Sequence, residues 1–279
     1  MNQRKLIFLI FLIPTGMAVA YFGFILFGGG YGKKPVNIQG LNSGNSLFLF
    51  AHRGISAEFP ENSKGAIEQA KIMGFKGLEI DIRKTSDNEF VLFHDEDCDR
   101  LLGISEKIYN LSTSQVKERH LQLNDTNTSH YVLTLKEMLD EYKDDFIIYF
   151  DLKLKGFDDA DDLVTIIRSY GISRSSIIAS TSGFIIFYIE NKYPEINTSM
   201  EGFNSGKEWL YCIFPKNFKP DFLSSFASKV NEDHIAWLQK KDLLSGRIVY
   251  GVDSTNYGKV IQLGLKNLII DYYSEMKVH

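Results

Sequence analysis

At 279 residues, with 44 % hydrophobic and 24 % charged side chains, the chain carries enough apolar material for one large globular domain and too much for a disordered one. A formal net charge of −4 gives no electrostatic footprint for nucleic acid, and no nucleic-acid partner is expected. Two cysteines, Cys98 and Cys212, exclude a disulfide framework and leave at most one bridge.

Arg4 and Lys5 precede an uncharged apolar run from Leu6 to Gly28, LIFLIFLIPTGMAVAYFGFILFG. Its length is near the roughly 20 residues that a helix needs to cross a bilayer. Residues 1–28 are therefore expected to form a transmembrane anchor, or a cleaved secretory signal with Ala18-Val19-Ala20 as the small-residue site. The YFGFILF that follows stays apolar, which favours the anchor. Both readings place the rest of the chain on the non-cytoplasmic side, membrane-anchored or, after cleavage, secreted. The glycine cluster at 28–32 and the polar residues after it predict a flexible tether over 29–46.

From residue 47 to residue 279, strand-like and helical patterns alternate. LFLFAH is followed by a helix over NSKGAIEQAKIMG, where Ala66, Ile67, Ala70 and Met73 fall at helical spacing and Gly74 ends it. GLEIDIRKT and FVLFHD come next, separated by a turn at Ser86-Asp87-Asn88. The stretch from about 97 to 130 is polar, with Leu101, Leu102, Ile104 and Leu111 scattered through it, and reads as an insertion over one end of the domain. A helix over TLKEMLDEYK leads to FIIYFDLKLK, a helix from about Asp159 to Tyr170 leads to IIASTS, and the helix GFIIFYIENKYP leads to INTSMEGF. RIVYGVDS, a helix over NYGKVIQLG, and LIIDYYS close the chain. With one further strand near Val230, about eight strands alternate with helices, which predicts an α/β fold closed as a (β/α)₈ barrel.

The active site of such a barrel lies at the C-terminal ends of its strands. His52 and Arg53 end the first strand, Glu79 and Asp81 lie in the second, His94-Asp95 end the run after it, and Asp151 and Lys153 end the next. In LEIDI the period of two puts Glu79 and Asp81 on one face. An isolated E-x-D reads as a solvated acidic face; on a strand covered on both sides the two charges need a cation between them. An all-oxygen set with Asp151 as third carboxylate suits Ca²⁺ or Mg²⁺ better than zinc. Lys153 shares that face and fits either a phosphoryl oxygen or a structural ion pair. Each histidine alone reads as structural; together at the rim, His52 and His94 suggest a general acid and a general base flanking a phosphate, with Arg53 on the phosphate. His120, His130, His234 and His279 lie away from this pattern.

The ordered set HRG at 52–54, FPENS at 59–63, EID at 79–81 and HD at 94–95 resembles the glycerophosphodiester phosphodiesterase family, with DLK at 151–153 and LIIDY at 268–272 as looser matches. The resemblance implies a metal-dependent (β/α)₈ barrel with a small inserted segment. It implies a divalent ion on Glu79, Asp81 and Asp151, His52 and His94 as the acid–base pair, Arg53 and Lys153 on the phosphate, and Glu61 and Asn62 at the rim. Three departures stand out. Asp151 is shorter than the usual glutamate, the W-T-V-N motif reads Tyr250-Gly251-Val252-Asp253, and the usual D-G turn is Asp87-Asn88.

The function implied is hydrolysis of glycerophosphodiesters to glycerol 3-phosphate and an alcohol. One alternative is a lysophospholipase D-like activity on lysophospholipid at a membrane surface, with the apolar residues of the insertion holding an acyl chain. Another is a tethered barrel that binds phosphorylated ligands without turnover.

Overall fold

A computed structural model describes residues 3–27, Ile38, Leu41 and 46–271, with the side chains of the first helix described from Thr15 onward. That helix, α1, spans Gln3–Phe27. Among the described residues no helix is long and apolar enough to cross a membrane. At its C-terminal end α1 rests on the domain: Tyr21 donates a hydrogen bond to the Ile213 carbonyl at 3.1 Å, Phe24 packs on Phe218 and Ile25 is buried. Most of the expected tether lies outside the described residues, but Ile38 and Leu41 are buried within the barrel's inner cluster.

The domain is built on eight parallel strands: β1 (Phe48–His52), β2 (Gly77–Lys84), β6 (Ile147–Leu152), β7 (Ser176–Ser180), β8 (Asn197–Met200), β9 (Phe222–Phe226), β10 (Arg247–Val252) and β11 (Asn267–Ile270). They pair in the order β1-β11-β10-β9-β8-β7-β6-β2, and β1 pairs with β2, so the sheet closes as a barrel. Alternation sorts the side chains. Phe50, Tyr149, Ile177, Phe222, Ile248 and Ile269 fill the interior, while Leu78, Ile80, Ile148 and Val249 pack outward against the helices.

The connecting helices α2 at Lys64–Ile72, α5 at Leu135–Tyr142, α6 at Phe157–Ser169, α7 at Gly183–Lys192 and α10 at Tyr257–Gln262 follow the periodicity of the sequence, and α9 at Glu232–Lys240 has no counterpart among the expected helices. Ser63 caps α2, and Thr134 with Glu137 forms a capping box on α5. A short helix, α8 (Glu208–Ile213), lies between β8 and β9 and has no signal in the sequence reading.

The structure departs from the sequence reading in three places. The strand expected near Val230 is FLSSF, Phe222–Phe226, and Val230 lies in the turn before α9; the two serines that mark a loop by composition are buried in the sheet. FVLF is not a barrel strand: β3 (Phe90–Leu92) runs antiparallel on β2. The insertion, holding α3 (Asp99–Leu102), α4 (Thr113–Lys117) and the β4–β5 hairpin (Gln122–Leu123, Thr126–Asn127), has its own small core. Leu101, Leu102, Ile108, Val116 and Leu121 close on Phe93, with Ile104 and Leu111 packed against them, so these side chains are consumed internally and do not face a ligand. The cysteines are both free, Cys98 inside that core and Cys212 exposed on α8.

Candidate active site

Strand register assembles the centre. Within the barrel His52 pairs with Glu79, Glu79 with Tyr149, and Asp81 with Asp151, so residues far apart in sequence share one level of the mouth. Glu79, Asp81 and Asp151 are all buried and offer oxygens that lie within 4.8 Å of one another.

The HRG turn is forced locally. Arg53 adopts φ 56 and Gly54 φ 79, and the Arg53 amide donates to both the main-chain and side-chain oxygens of Glu79 at 3.0 Å. A Cβ on Gly54 would lie 2.5 Å from the Ala66 carbonyl carbon, so both backbone conformation and space require glycine there. The turn aims the Arg53 guanidinium back across the mouth, its Nη1 2.9 Å from Glu61 Oε1 and its Nε 3.0 Å from Asp81 Oδ2.

FPENS supplies the supports. Glu61 holds two arginines, Arg53 and, from the insertion, Arg100, whose two terminal nitrogens lie 2.7 and 2.8 Å from its carboxylate oxygens. Asn62 is buried at φ 58, a conformation asparagine tolerates better than most residues. Its amide nitrogen donates to Asp81 Oδ2 at 2.9 Å, and its carbonyl accepts the Asp81 amide at 3.3 Å. Both residues at the expected rim therefore hold protein groups in place.

The charges of the three carboxylates are pushed apart. Burial and the neighbouring Asp81 charge raise Glu79 to about 8. Burial acts the same way on Asp81, but Lys153, Arg53 and His94 together with the Asn62 hydrogen bond overcome it and bring Asp81 to about 2. Burial keeps Asp151 above its ordinary value although Lys153 opposes it. Lys153 lies 3.0 Å from Asp81 Oδ1 and forms a close ion pair with Asp151. The contact with Asp81 lies outside hydrogen-bonding geometry, so this buried oxygen has no hydrogen-bond partner.

Each histidine at the mouth is held by its own carboxylate. His52 Nδ1 lies 2.6 Å from Asp271 Oδ1, and His94 Nδ1 lies 2.6 Å from Asp95 Oδ1. The hydrogen bonds to His52 and His94 help hold Asp271 and Asp95, in spite of burial, below the usual carboxylate range, so each is ionised and Nδ1 carries the proton. His52 Nε2 then faces the cluster, 3.8 Å from Glu79 Oε2. Burial draws the His52 pKa down, but Glu79 and Asp271 outweigh it and leave the pKa raised. The insertion steadies His94 indirectly, through the Arg100 Nε contact of 2.7 Å with Asp95. An open cleft of about 520 Å³ beside the mouth is lined by Arg83, His94, Asp95, Arg100 and Lys153.

All nine candidate residues thus converge on one end of the barrel. The sequence reading missed Asp271, visible only as an acid ending an apolar run in LIIDY, and Arg100, which had no signal. It also missed Glu201, directly after β8, whose carboxylate accepts from the Tyr149 hydroxyl at 3.1 Å and is raised well above its ordinary pKa by burial and by Asp151. Of the departures noted above, Asn88 takes the left-handed conformation (φ 59) that glycine supplies in a D-G turn, and Tyr250 packs edge-on against Phe226. His234 is buried in α9 against Glu208, His120 contacts Tyr131, His130 packs on Phe59, and His279 lies outside the described residues.

A parallel eight-stranded barrel with a carboxylate–histidine centre at the C-terminal ends of its strands has the architecture of an α/β-barrel enzyme. The profile of the glycerophosphoryl diester phosphodiesterase family matches residues 52–196, more than half of the chain, and the chain belongs to that family. It is 35 % identical over 121 residues to mouse glycerophosphodiester phosphodiesterase 1, a match covering 42 % of this chain and 37 % of that protein. It is 24 % identical over 160 residues to a glycerophosphodiester phosphodiesterase of Caldanaerobacter subterraneus, covering 54 % of this chain and 65 % of that one. Thus the chain spans less than two thirds of the length of these relatives. The fold is that of a crystal structure of a family protein from Silicibacter pomeroyi (TM-score 0.72, 14 % identity, 85 % of this chain and 94 % of that one). It is likewise that of an Oleispira antarctica phosphodiesterase solved with the product sn-glycerol-3-phosphate (TM-score 0.68, 19 % identity, 81 % and 94 %).

Proposed function

We propose that the chain hydrolyses glycerophosphodiesters to glycerol 3-phosphate and an alcohol, using a divalent cation and the histidine pair His52 and His94. The observation that carries this reading is the buried trio Glu79, Asp81 and Asp151, flanked by two histidines whose Nδ1 atoms are each fixed by a carboxylate. Family membership and the product complex of the Oleispira antarctica protein support it.

The residues fit a hard cation. Their donors are all oxygens, Asp81 Oδ1 is buried with no hydrogen-bond donor beside its Lys153 ion pair, and burial with the like charge of Asp81 raises Glu79 to about 8. Glu79, Asp81 and Asp151 would hold Ca²⁺ or Mg²⁺. When bound, such an ion supplies charge neutralisation and Lewis acidity toward a phosphoryl oxygen.

The chain's own groups divide the remaining work. Arg53 and Lys153 present cationic nitrogens at the mouth and orient the phosphate, Arg53 by its planar fork and Lys153 as a point charge. His94, its Nδ1 held by Asp95, takes the proton of the attacking water at Nε2. His52, with its raised pKa, delivers a proton from Nε2 to the departing alkoxide. The uncharged Leu6–Gly28 run supports α1 as a membrane anchor that leaves the barrel on the non-cytoplasmic side, or as a signal whose removal releases it.

Release of glycerol 3-phosphate from glycerophosphocholine, with Mg²⁺ or Ca²⁺ and with a chelator, tests the reading. Ion-dependent release is expected. Binding of the substrate without product under either ion would favour the non-catalytic barrel.

A further inference from the structure

The wall of the mouth made by β8, β9 and β10 takes no part in the proposed proton transfers. Inside the barrel the Tyr149 hydroxyl lies 3.2 Å from the Ser199 hydroxyl and 3.1 Å from that of Ser224, so both serines point inward. Glu201 and Phe226 stand two residues further along the same segments and face the same way, one layer nearer the rim. Glu201 accepts from the Tyr149 hydroxyl at 3.1 Å, and Tyr149 is the register partner of Glu79 and precedes Asp151 by two residues on one strand face. Glu201 thus faces the lumen that holds the three carboxylates.

Phe226 and Tyr250 form a corner beside it. They are register partners on β9 and β10, and their rings meet edge to face with centroids 5.2 Å apart and planes at 80°. Gly251 makes the corner possible: its φ is 65, and a Cβ there would lie 2.4 Å from the Phe226 ring. A threonine at 251, as in W-T-V-N, would claim the space of that ring. The Tyr250 hydroxyl meets the Gly202 main chain, next to Glu201. Phe226 is 49 % exposed, so its ring is open to a ligand. Among the described residues no lysine or arginine lies over either ring or pairs with Glu201; Lys207, close by, donates instead to the Gly202 carbonyl at 2.6 Å. Burial and the Asp151 charge raise the Glu201 pKa well above its ordinary value, the condition of a carboxyl that lacks a cation. Two rings at right angles beside a carboxylate suit a quaternary ammonium group, which brings charge without hydrogen-bond donors.

This wall also stands where the alcohol leaves. From β1 the strand order runs β11, β10, β9, β8, and Asp271, just after β11, holds His52, the proposed acid. His94, the proposed base, follows β3, on the other side of β1 beyond β2. Water entering at His94 and an alkoxide leaving at His52 in line direct the alcohol toward β10 and β9. We infer that Phe226, Tyr250 and Glu201 form a box for a quaternary ammonium group, and that the alcohol released is a trimethylammonium alcohol, choline. The inference rests on the proposed phosphodiesterase reading and names its leaving group.

The experiment compares glycerophosphocholine with its uncharged isostere, glycerophospho-3,3-dimethylbutanol, in which carbon replaces the nitrogen. The readout is the ratio of their kcat/KM values, in which any general loss of activity and the different acidities of the two alcohols cancel between variants. Phe226→Leu and Glu201→Gln are each expected to lower that ratio roughly five- to thirtyfold, chiefly through KM for glycerophosphocholine, and Phe226→Tyr is expected to preserve it. Tetramethylammonium is expected to inhibit wild type competitively and Phe226→Leu at least about fivefold more weakly. A ratio unchanged in Phe226→Leu and Glu201→Gln, or lowered equally by Phe226→Tyr, would overturn the inference and leave the activity standing. Lysophosphatidylcholine assayed in parallel shows whether the head group is taken from a free diester or from a lipid; dependence on the box with either upholds the inference, and with neither overturns it. Were no substrate cleaved, the activity reading would fall, and calorimetric titration with tetramethylammonium would decide the box alone. Binding by wild type that Phe226→Leu weakens upholds it, and no binding, or binding unchanged in the variant, overturns it.

Discussion

Asp271 Oδ1 lies 2.6 Å from His52 Nδ1, joining the last barrel strand to the first across 219 residues of sequence. The parallel register of β1 and β11, with Ala51 opposite Ile270, places these two side chains at the same height on the rim. Barrel closure is thus what orients the histidine, and the rim is where fold and chemistry meet.

Asp271→Asn tests that relationship. Loss of the carboxylate removes two of the influences that raise the His52 pKa and the partner that fixes its tautomer. A drop in kcat of roughly 10–100-fold is expected. In the proposed reaction His52 is the acid and must be protonated, so the limb on which activity falls with rising pH should move to lower pH. A pH profile of kcat for wild type and variant reads both effects.

Ion binding at the carboxylates should release a proton. With Glu79 at about 8 in the ion-free protein, its carboxyl is mostly protonated at neutral pH and must ionise to act as a ligand. Calorimetric titration with Mg²⁺ or Ca²⁺ in buffers of different ionisation enthalpy is expected to show up to one proton released near pH 7 and less near pH 9. Glu79→Gln should abolish that release and weaken ion binding. The rise in Tm on adding the ion should vanish in the same variant.

Asn62→Ala should act through Asp81. The change removes a buried hydrogen bond of 2.9 Å to a charged oxygen and puts alanine at φ 58. Together these are expected to destabilise the fold by about 2–4 kcal/mol. Without the amide the Asp81 pKa rises, so ion affinity near pH 5 should fall more than at pH 8. Chemical denaturation and ion titration at the two pH values check the two parts.

His234 sets a pH dependence of stability away from the mouth. Burial outweighs its 2.6 Å contact with Glu208 and lowers its pKa below the ordinary 6.5. The unfolded chain then binds this proton more readily than the folded one, so stability is full above about pH 6.5 and is lost as pH falls toward the folded pKa. The Tm advantage of wild type over His234→Gln is expected to shrink between about pH 7.5 and about pH 5.5. An advantage that grows over that interval would reverse the sign assigned to this group.

Much of the centre was legible because it lies on short motifs. HRG, E-x-D and HD each end or follow an apolar run, and period-two alternation alone places Glu79 and Asp81 on one face. The parts that stayed hidden depend on closure and burial. Asp271 reaches His52 only because β11 pairs with β1, Arg100 reaches Glu61 only because the insertion folds back over the mouth, and Asn62 turns inward through a left-handed backbone. Ser224 and Ser225 disguised β9, since serine composition signals a loop whereas these hydroxyls are satisfied inside the sheet by Tyr149 and Arg247. The leucines of the insertion looked scattered because their spacing follows several short turns and no single period.

In the proposed reaction one site, built from His52, His94 and the three carboxylates, performs ion-dependent phosphodiester hydrolysis. Its most direct test is the rate of glycerol 3-phosphate release from glycerophosphocholine by wild type, His52→Ala, His94→Ala and Glu79→Gln, each shown by circular dichroism to be folded. Wild type is expected to release product in a way that a chelator stops and a divalent ion restores, with a loss of roughly 10²-fold or more in each variant. Release that persists at the wild-type rate in the chelator and in the folded variants would contradict it.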